Sequence, residues 1–316
     1  DAGSVRRHPH SYHIKVIYPF KPVSGLIDED GAYCSLVGYV SSLKAIVIGG
    51  EVTLTVETEV RYLNDEWRHG SGLASIGSRE SRRANTRKHN VFIRDARAKR
   101  DELSLDVNGF VLVDHVSAVA NFGDEDSVKS LYYAEIERLT REVSGADEVF
   151  ITHHVVRTED KSNFNSAYAR FLHCDYSLKD PRSASLKTLE SRHLDPADYE
   201  TADFAWYNSW QPFDNEARNN PLAVIDVTTI AENDIVDYYY TGNNASNKSS
   251  MPLFNPRHEL WYFDRMRTDE VLFIKQLDTR DGYAQACPHT SFDDPNVPQD
   301  VPPRRSVEVR LLAVFR

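Results

Sequence analysis

Two short stretches carry side chains that can hold a metal ion: Phe171-Leu172-His173-Cys174-Asp175-Tyr176-Ser177 and Pro288-His289-Thr290. In an extended strand, residues i and i+2 point to the same face, so His173 and Asp175 can bind one ion while Cys174 points away. A third ligand must come from a neighbouring strand, and His289 is placed to supply it. Two imidazoles and one carboxylate on one face of an octahedron leave positions open, which suits a non-haem Fe(II) that must also receive a co-substrate and O2. An H-x-D pair recurs by chance on solvated surface, so the reading depends on what accompanies it. A rival set, His173, Cys287 and His289 around Zn2+, lacks the paired-cysteine spacing of a structural zinc site. His8, His10 and His13 form a separate candidate cluster near the start of the chain. His153-His154 reads as strand-end residues, because neighbours on a strand face opposite ways.

Beyond His289 comes Arg304-Arg305-Ser306-Val307-Glu308-Val309-Arg310-Leu311-Leu312-Ala313-Val314-Phe315, a strand by its alternation and β-branched content. Period two puts Arg304, Ser306, Glu308 and Arg310 on one face. A guanidinium facing the inside of a barrel needs an anionic partner, since burial without one is costly. A dicarboxylate such as 2-oxoglutarate fits, its distal carboxylate held by a bidentate arginine and the serine hydroxyl. The alternatives are that Glu308 pairs internally with Arg304 or Arg310, or that this face is the solvated one.

These residues bring a family into view. Ser104-Leu105-Asp106-Val107-Asn108-Gly109-Phe110, Asn208-Ser209-Trp210-Gln211-Pro212, Trp261-Tyr262-Phe263 with Met266 and Glu270, and His289-Thr290-Ser291-Phe292 followed by Arg304-x-Ser306-x-Glu308-x-Arg310 together resemble the hydroxylase/desaturase family of fungal secondary metabolism. That family takes in gibberellin-desaturase-type and 7α-cephem-methoxylase-like proteins and an oxygenase that closes an aziridine ring on an amino acid. The resemblance covers about residues 90 to 316. It implies a mainly β (α+β) chain with a double-stranded β-helix (jelly-roll, cupin-like) core and flanking helices, working as a dioxygenase with Fe(II), 2-oxoglutarate and O2. Metal ligands would be His173, Asp175 and His289. The co-substrate would be held by Arg304 and Ser306, with Arg310 in reserve, because Arg304-x-Ser306 is similar to the R-x-S pattern of many such oxygenases. Tyr168, Asn208, Trp210 and Tyr262 are the expected substrate contacts. Hydroxylation, desaturation and ring closure on a small secondary metabolite all start from the same hydrogen abstraction. The rival readings are the same chemistry on a free amino acid and a non-catalytic jelly-roll module that binds metal or ligand. Phe204, Trp206, Tyr207, Trp210, Tyr238, Tyr239, Tyr240 and Trp261 favour a partly apolar substrate over an amino acid.

The elements that position these residues follow from periodicity. Eight strands are expected: Glu148 to Val156, Ala167 to Asp175, Phe204 to Trp210, Leu222 to Thr229, Glu259 to Phe263, Val271 to Leu277, Ala284 to His289, and Ser306 to Phe315, the jelly-roll number. The first ligand pair then lies on the second, His289 on the seventh and the arginines on the eighth. Val128, Leu131, Tyr132, Ile136, Leu139 and Val143 follow the 3.6-residue spacing of an amphipathic helix over Asp124 to Ser144, and a further helix is expected over Pro181 to Arg192. Upstream, Ile14 to Tyr18, Tyr33 to Ile48, Val52 to Tyr62 and Asn108 to His115 read as strands, Asn64 to Lys88 and the basic run Arg79 to Arg100 as solvated loop, and Asn243 to Ser250 as a loop at the barrel mouth. A single domain over 1–316 is expected, with 1–90 a β-rich N-terminal extension and 91–316 the core.

Composition narrows the partners. A net charge of −11 argues against nucleic acid and anionic membrane, which both require a positive face, and leaves a small-molecule substrate. Cys34, Cys174 and Cys287 are too few and scattered for a disulfide framework, which points to a reducing compartment and a cytoplasmic location. No run of eighteen apolar residues occurs. The opening Asp1-Ala2-Gly3-Ser4 reads as a processed terminus, and the sequons Asn244-Ala245-Ser246 and Asn247-Lys248-Ser249 as loop chemistry. Ile48-Gly49-Gly50-Glu51 lacks the spacing of a nucleotide-binding turn, and no nucleophile elbow is present.

Overall fold

The computed structural model describes residues 43–48, 51–70, 72–158, 169–242 and 246–316. His8, His10, His13, Cys34, Tyr168, the strand expected at Ile14 to Tyr18, and the sequon at Asn244 lie outside the described residues.

The strands are β1 (Leu43–Ile48), β2 (Glu51–Leu63), β3 (Ala74–Ile76), β4 (Thr86–Asp95), β5 (Phe110–Asp114), β6 (Glu148–Arg157), β7 (Asp203–Pro212), β8 (Leu222–Ile225), β9 (Ile235–Tyr240), β10 (Asn247–Pro252), β11 (Leu260–Tyr262), β12 (Glu270–Asp278), β13 (His289–Ser291) and β14 (Ser306–Phe315). They form a six-stranded sheet in the order β1-β2-β4-β11-β8-β13, a five-stranded sheet β5-β12-β7-β14-β6, and a three-stranded sheet β10-β9-β3. The two larger sheets face each other as the walls of a jelly roll.

Alternation along β14 explains the layering. Val307, Val309, Leu311 and Ala313 bury against Tyr132, Ile136 and Leu139, outside the barrel. Helix α1 (Arg79–Asn85) lies near β3, whereas the outer helix runs from α2 (Glu125–Ser127) through a π turn, Val128–Tyr132, into α3 (Tyr133–Ser144). The π turn resets the helical phase, so Leu131, expected inside, is 44% exposed. α3 ends at Gly145 in the left-handed conformation, φ 71°. The opposite face of the five-stranded sheet looks into the barrel. At one end Trp206, Leu312 and Val314 pack on Leu189 of α4 (Pro181–Glu190). At the other, Trp210, Leu272 and Ile274 meet Val224 and Trp261 of the facing sheet. Between these apolar ends the same face carries the polar residues of the site.

Several elements differ from the periodicity reading. Residues 171–175 are not a strand: Leu172 N–H bonds to the Arg61 carbonyl of β2, His173 pairs with His289, and Cys174 pairs with Ser250 of β10. Three successive residues thus bond to three different strands, as a chain crossing between sheets must. Ala284 to Pro288 are also irregular, with β13 beginning only at His289, because Pro288 can donate no ladder hydrogen bond. The polar stretch Asn64 to Lys88 holds β3, α1 and the start of β4, with α1 opened by a capping box between Ser78 and Ser81; the basic run Arg79 to Arg100 is therefore helix and strand rather than loop. Asn247 to Ser250, within the stretch read as loop, belong to β10, and this carries the second sequon into a sheet. Among the described residues no helix is long and apolar enough to cross a membrane.

Candidate metal centre

His173 and His289 face each other across an isolated antiparallel bridge, each donating its backbone N–H to the other's carbonyl, at 3.2 and 3.0 Å. Their rings lie 4.5 Å apart between centroids. His173 Nε2 is 3.9 Å from Asp175 Oδ1, and His289 Nε2 is 3.9 Å from Asp175 Oδ2. The ligand atoms of all three side chains fall within 4.8 Å of one another, the one such group among the described residues. Cys287 is not part of it: its thiol donates to the Ile225 carbonyl and packs in the apolar core.

Both histidines are tied off in the same way. His173 Nδ1 lies 2.9 Å from the Phe171 carbonyl and His289 Nδ1 3.4 Å from the Cys287 carbonyl. A carbonyl only accepts, so each Nδ1 carries the proton and each Nε2 is left with a lone pair aimed at its partners. Burial, reinforced by the neighbouring His289 and opposed by Asp175, pushes the His173 imidazole down to about 4, so it is neutral and able to donate at ordinary pH.

Asp175 is held on every side. Arg310 Nη2 donates to Oδ1 and Asn208 Nδ2 to Oδ2, both at 2.5 Å. Gln276 Oε1 accepts from the Asp175 N–H at 3.0 Å, and the Ser249 hydroxyl donates to its carbonyl at 3.0 Å. Burial would raise the carboxyl, but the Arg310 guanidinium, helped by the Asn208 hydrogen bond, outweighs it and holds it well below the usual carboxylate range. Gln276 reaches Asp175 because β12 shifts register against β7 between Lys275 and Leu277, and such a bulge re-aims the intervening side chain.

The pocket at this centre is lined by His173, His289, Trp210, Arg157, Arg304 and Glu308 among others. Arg304 is 2% exposed; its Nη1 donates to the Ser291 hydroxyl at 3.0 Å and to the Asn220 carbonyl, and its guanidinium lies over the Trp210 ring. Ser306 is buried with no hydrogen-bond partner on its hydroxyl. Arg310 is instead committed to Asp175 and, through Nε at 3.0 Å, to Glu308. A larger cavity, about 570 Å3, lies between α3 and β6 and shares no lining residue with the triad pocket.

The residues expected to contact substrate divide. Trp210 lines the pocket. Asn208 is taken up by the Asp175 carboxylate. Tyr262 is a core aromatic, packed with Val56 and Ile225 and edge-on to Phe292, and does not line the pocket. Most of the aromatics that favoured an apolar cavity are likewise core: Phe204 and Trp206 pack with α4, Tyr207 on the α3 side, Tyr238 with Leu63, and Trp261 with Trp210. Asn208 was read from the sequence as a pocket-lining strand residue and Gln276 was not singled out; the hydrogen bonds of both to Asp175 were not legible.

A family described as an oxidoreductase/YMDC permease-like domain matches residues 63–315. The hydroxylase/desaturase efuI of Hormonema carpetanum is 30% identical over 288 residues, covering 83% of this chain and 95% of that protein. The Fe(II)/2-oxoglutarate-dependent dioxygenase nvfI of Aspergillus novofumigatus is 30% identical, covering 71% of this chain and 82% of that protein. The chain belongs to this family of fungal hydroxylase/desaturases and dioxygenases. A solved structure of the iron and alpha-ketoglutarate-dependent endoperoxidase NvfI superposes with a TM-score of 0.73 at 26% identity, covering 83% of this chain and 98% of that one. The jelly-roll fold and the oxidoreductase class follow, as the motifs from Ser104 to Arg310 led one to expect. Small molecules are the substrates of this oxygenase class.

Proposed function

We propose that His173, Asp175 and His289 hold Fe(II), that Arg304 holds the distal carboxylate of 2-oxoglutarate, and that the enzyme oxidises an unactivated C–H bond of a small secondary metabolite. The observation that carries the reading is the pair of imidazoles whose Nδ1 atoms are tied to backbone carbonyls, leaving two Nε2 lone pairs and one ionised carboxylate converging within 4.8 Å. Such a donor set suits a divalent ion with open coordination positions. Charge supports the fit. The Asp175–Arg310–Glu308 triple carries one net negative charge, and Arg157 and Arg304 line the same pocket as cations that a dicarboxylate can offset.

Bound there, Fe(II) with 2-oxoglutarate and O2 supplies the oxidising power for removing a hydrogen atom, chemistry outside the range of side chains. The chain's own part is to bind, orient and exclude water. Arg304 provides a buried fork for a carboxylate, and the Ser306 hydroxyl, buried without a partner, is a second donor on the same strand face. Asn208 and Gln276 fix the carboxylate ligand from the sheet behind it. Cys174 and Cys287 are both buried, unpaired thiols, which supports a reducing, cytosolic setting.

Asp175→Ala removes the one anionic ligand. The purified variant is expected to lose stoichiometric Fe(II) on anaerobic desalting while keeping its far-UV spectrum. A variant that retains one equivalent of iron and consumes 2-oxoglutarate at the wild-type rate removes the assignment.

A further inference from the structure

Glu308 touches none of the three candidate ligands by hydrogen bond, yet it is buried in the same pocket, 7% exposed, on the strand that carries Arg304 and Arg310. Its Oε1 accepts from Arg310 Nε at 3.0 Å, while Arg310 Nη2 donates to Asp175 Oδ1 at 2.5 Å. One guanidinium is thus shared by two carboxylates: Glu308 lines the pocket, and Asp175 is the one 3.9 Å from each imidazole. Without Glu308 the Asp175–Arg310 pair would be neutral, and the other charged side chains lining the pocket, Arg157 and Arg304, are cations that disfavour a divalent ion. Without Arg310 the two buried carboxylates would repel. Together they fix the Asp175 carboxylate in one orientation and still leave a negative charge beside it.

We propose that Glu308, acting through Arg310, is a positioning residue for the metal ligand Asp175 and the second carboxylate that offsets the guanidinium charge around the pocket when a divalent ion binds; this rests on the triad being the metal site. Two consequences separate it from a merely structural carboxylate. Glu308→Gln keeps the shape and an acceptor for Arg310 but removes the charge, so divalent-metal affinity falls although no ligand has been changed. Because Glu308 also repels the dicarboxylate co-substrate, the same variant binds 2-oxoglutarate no more weakly than wild type, opposite in sign to the loss expected for Arg304→Ala.

The test is an anaerobic calorimetric titration of the metal-free protein with Co(II), and of the Co(II)-loaded protein with 2-oxoglutarate. Glu308→Gln is expected to weaken Co(II) binding about tenfold or more, within the roughly 10- to 100-fold range for partners that act through a ligand, and Glu308→Asp to restore part of it. Wild-type Co(II) affinity in Glu308→Gln overturns the proposal, as does a weakening that Glu308→Asp fails to relieve. If Glu308→Gln loses its fold by circular dichroism, Arg310→Lys takes its place: the charge is kept but the planar fork is lost, so weakened Co(II) binding supports the inference and unchanged binding overturns it. Asp175→Ala and His289→Ala guard the underlying reading. If wild type binds Co(II) and these two variants bind it equally well, the metal-site assignment itself fails; if they abolish binding while Glu308→Gln does not weaken it, only the role of Glu308 fails.

Discussion

Arg304 and Arg310 share a strand face, and sequence alone left both as anchors for the co-substrate; their environments predict that substituting them gives different losses. Arg304 is 2% exposed, lines the pocket with both histidines, and is held in place through Nη1 by Ser291 and Asn220. Arg304→Ala deletes a charge-assisted contact to a carboxylate in a water-poor site, a truncation that costs about 2 to 5 kcal/mol. At ~1.4 kcal/mol per decade this weakens 2-oxoglutarate binding roughly 30-fold to a few thousand-fold. Iron binding stays within a few-fold of wild type, since none of the Arg304 contacts described above reaches a ligand side chain. Arg304→Lys recovers only part of the loss, because an ammonium cannot form two parallel hydrogen bonds to one carboxylate. Arg310→Ala leaves Asp175 and Glu308 buried without their shared cation, a defect of about 3 to 5 kcal/mol, and shows itself first in stability and iron content. The assay is anaerobic calorimetry of each Fe(II)-loaded variant with 2-oxoglutarate, beside an iron determination and a urea melt. An Arg304→Ala protein with an unchanged 2-oxoglutarate Kd, next to an Arg310→Ala protein that binds iron normally and 2-oxoglutarate poorly, would refute the assignment and make Arg310 the anchor.

Two further outcomes follow from the packing. Burial lowers the pKa of His89, His153, His154 and His258, so the unfolded chain binds more protons than the folded one just below their ordinary value of 6.5. Stability is fully present above about pH 6.5 and declines as the pH falls through that value, each unit of depression being worth ~1.4 kcal/mol; urea midpoints that stay flat from pH 7 to pH 5 contradict it. Asp95 and Asp264, whose carboxyls burial raises, act in the opposite sense at lower pH. Gly109 sits at φ +84°, and a Cβ there would lie 2.6 Å from Val227 Cγ2 and 3.0 Å from Cys287 Cβ. Gly109→Ala is expected to cost about 1 to 3 kcal/mol through strain and overpacking, read as a lowered Tm, and a Tm at or above wild type removes the argument.

Strand alternation led to the expectation that His173 and Asp175 converge with His289, and they do converge, but on an irregular crossing segment rather than a strand; the shared face of Ser306, Glu308 and Arg310 does follow from alternation along β14. The partners of those residues were not legible, because they depend on register between strands far apart in the chain. Glu308 beside Arg310 is an i, i+2 relation and was visible as an alternative; Asp175 beside Arg310 joins residues on a crossing segment and a sheet. Asn208 illustrates the same limit, since its strand and inward face could be read while its hydrogen bond to Asp175 Oδ2 could not. Strand assignment failed where single bridges replace a ladder, in residues 171–175, and where no ladder forms, at 284–288. It also failed where polar composition hides regular structure, in the α1 region and in β10.

The irregularity of residues 171–175 is what makes the site possible. A regular strand carrying His173 and Asp175 would present both to one sheet only. Here Leu172 bonds to β2, His173 to β13 and Cys174 to β10, while the side chain of Asp175 reaches Asn208 on β7 and Arg310 on β14. The two ligands therefore take their orientation from all three sheets at once, and the carboxylate is oriented by the sheet opposite the one that supplies His289. The six-stranded sheet sets the two imidazoles, the five-stranded sheet sets the carboxylate, and β10 braces the backbone between them. Metal affinity is then tied to the docking of every layer, so an ion that binds this centre also stabilises the assembled barrel over any state in which one sheet has come away.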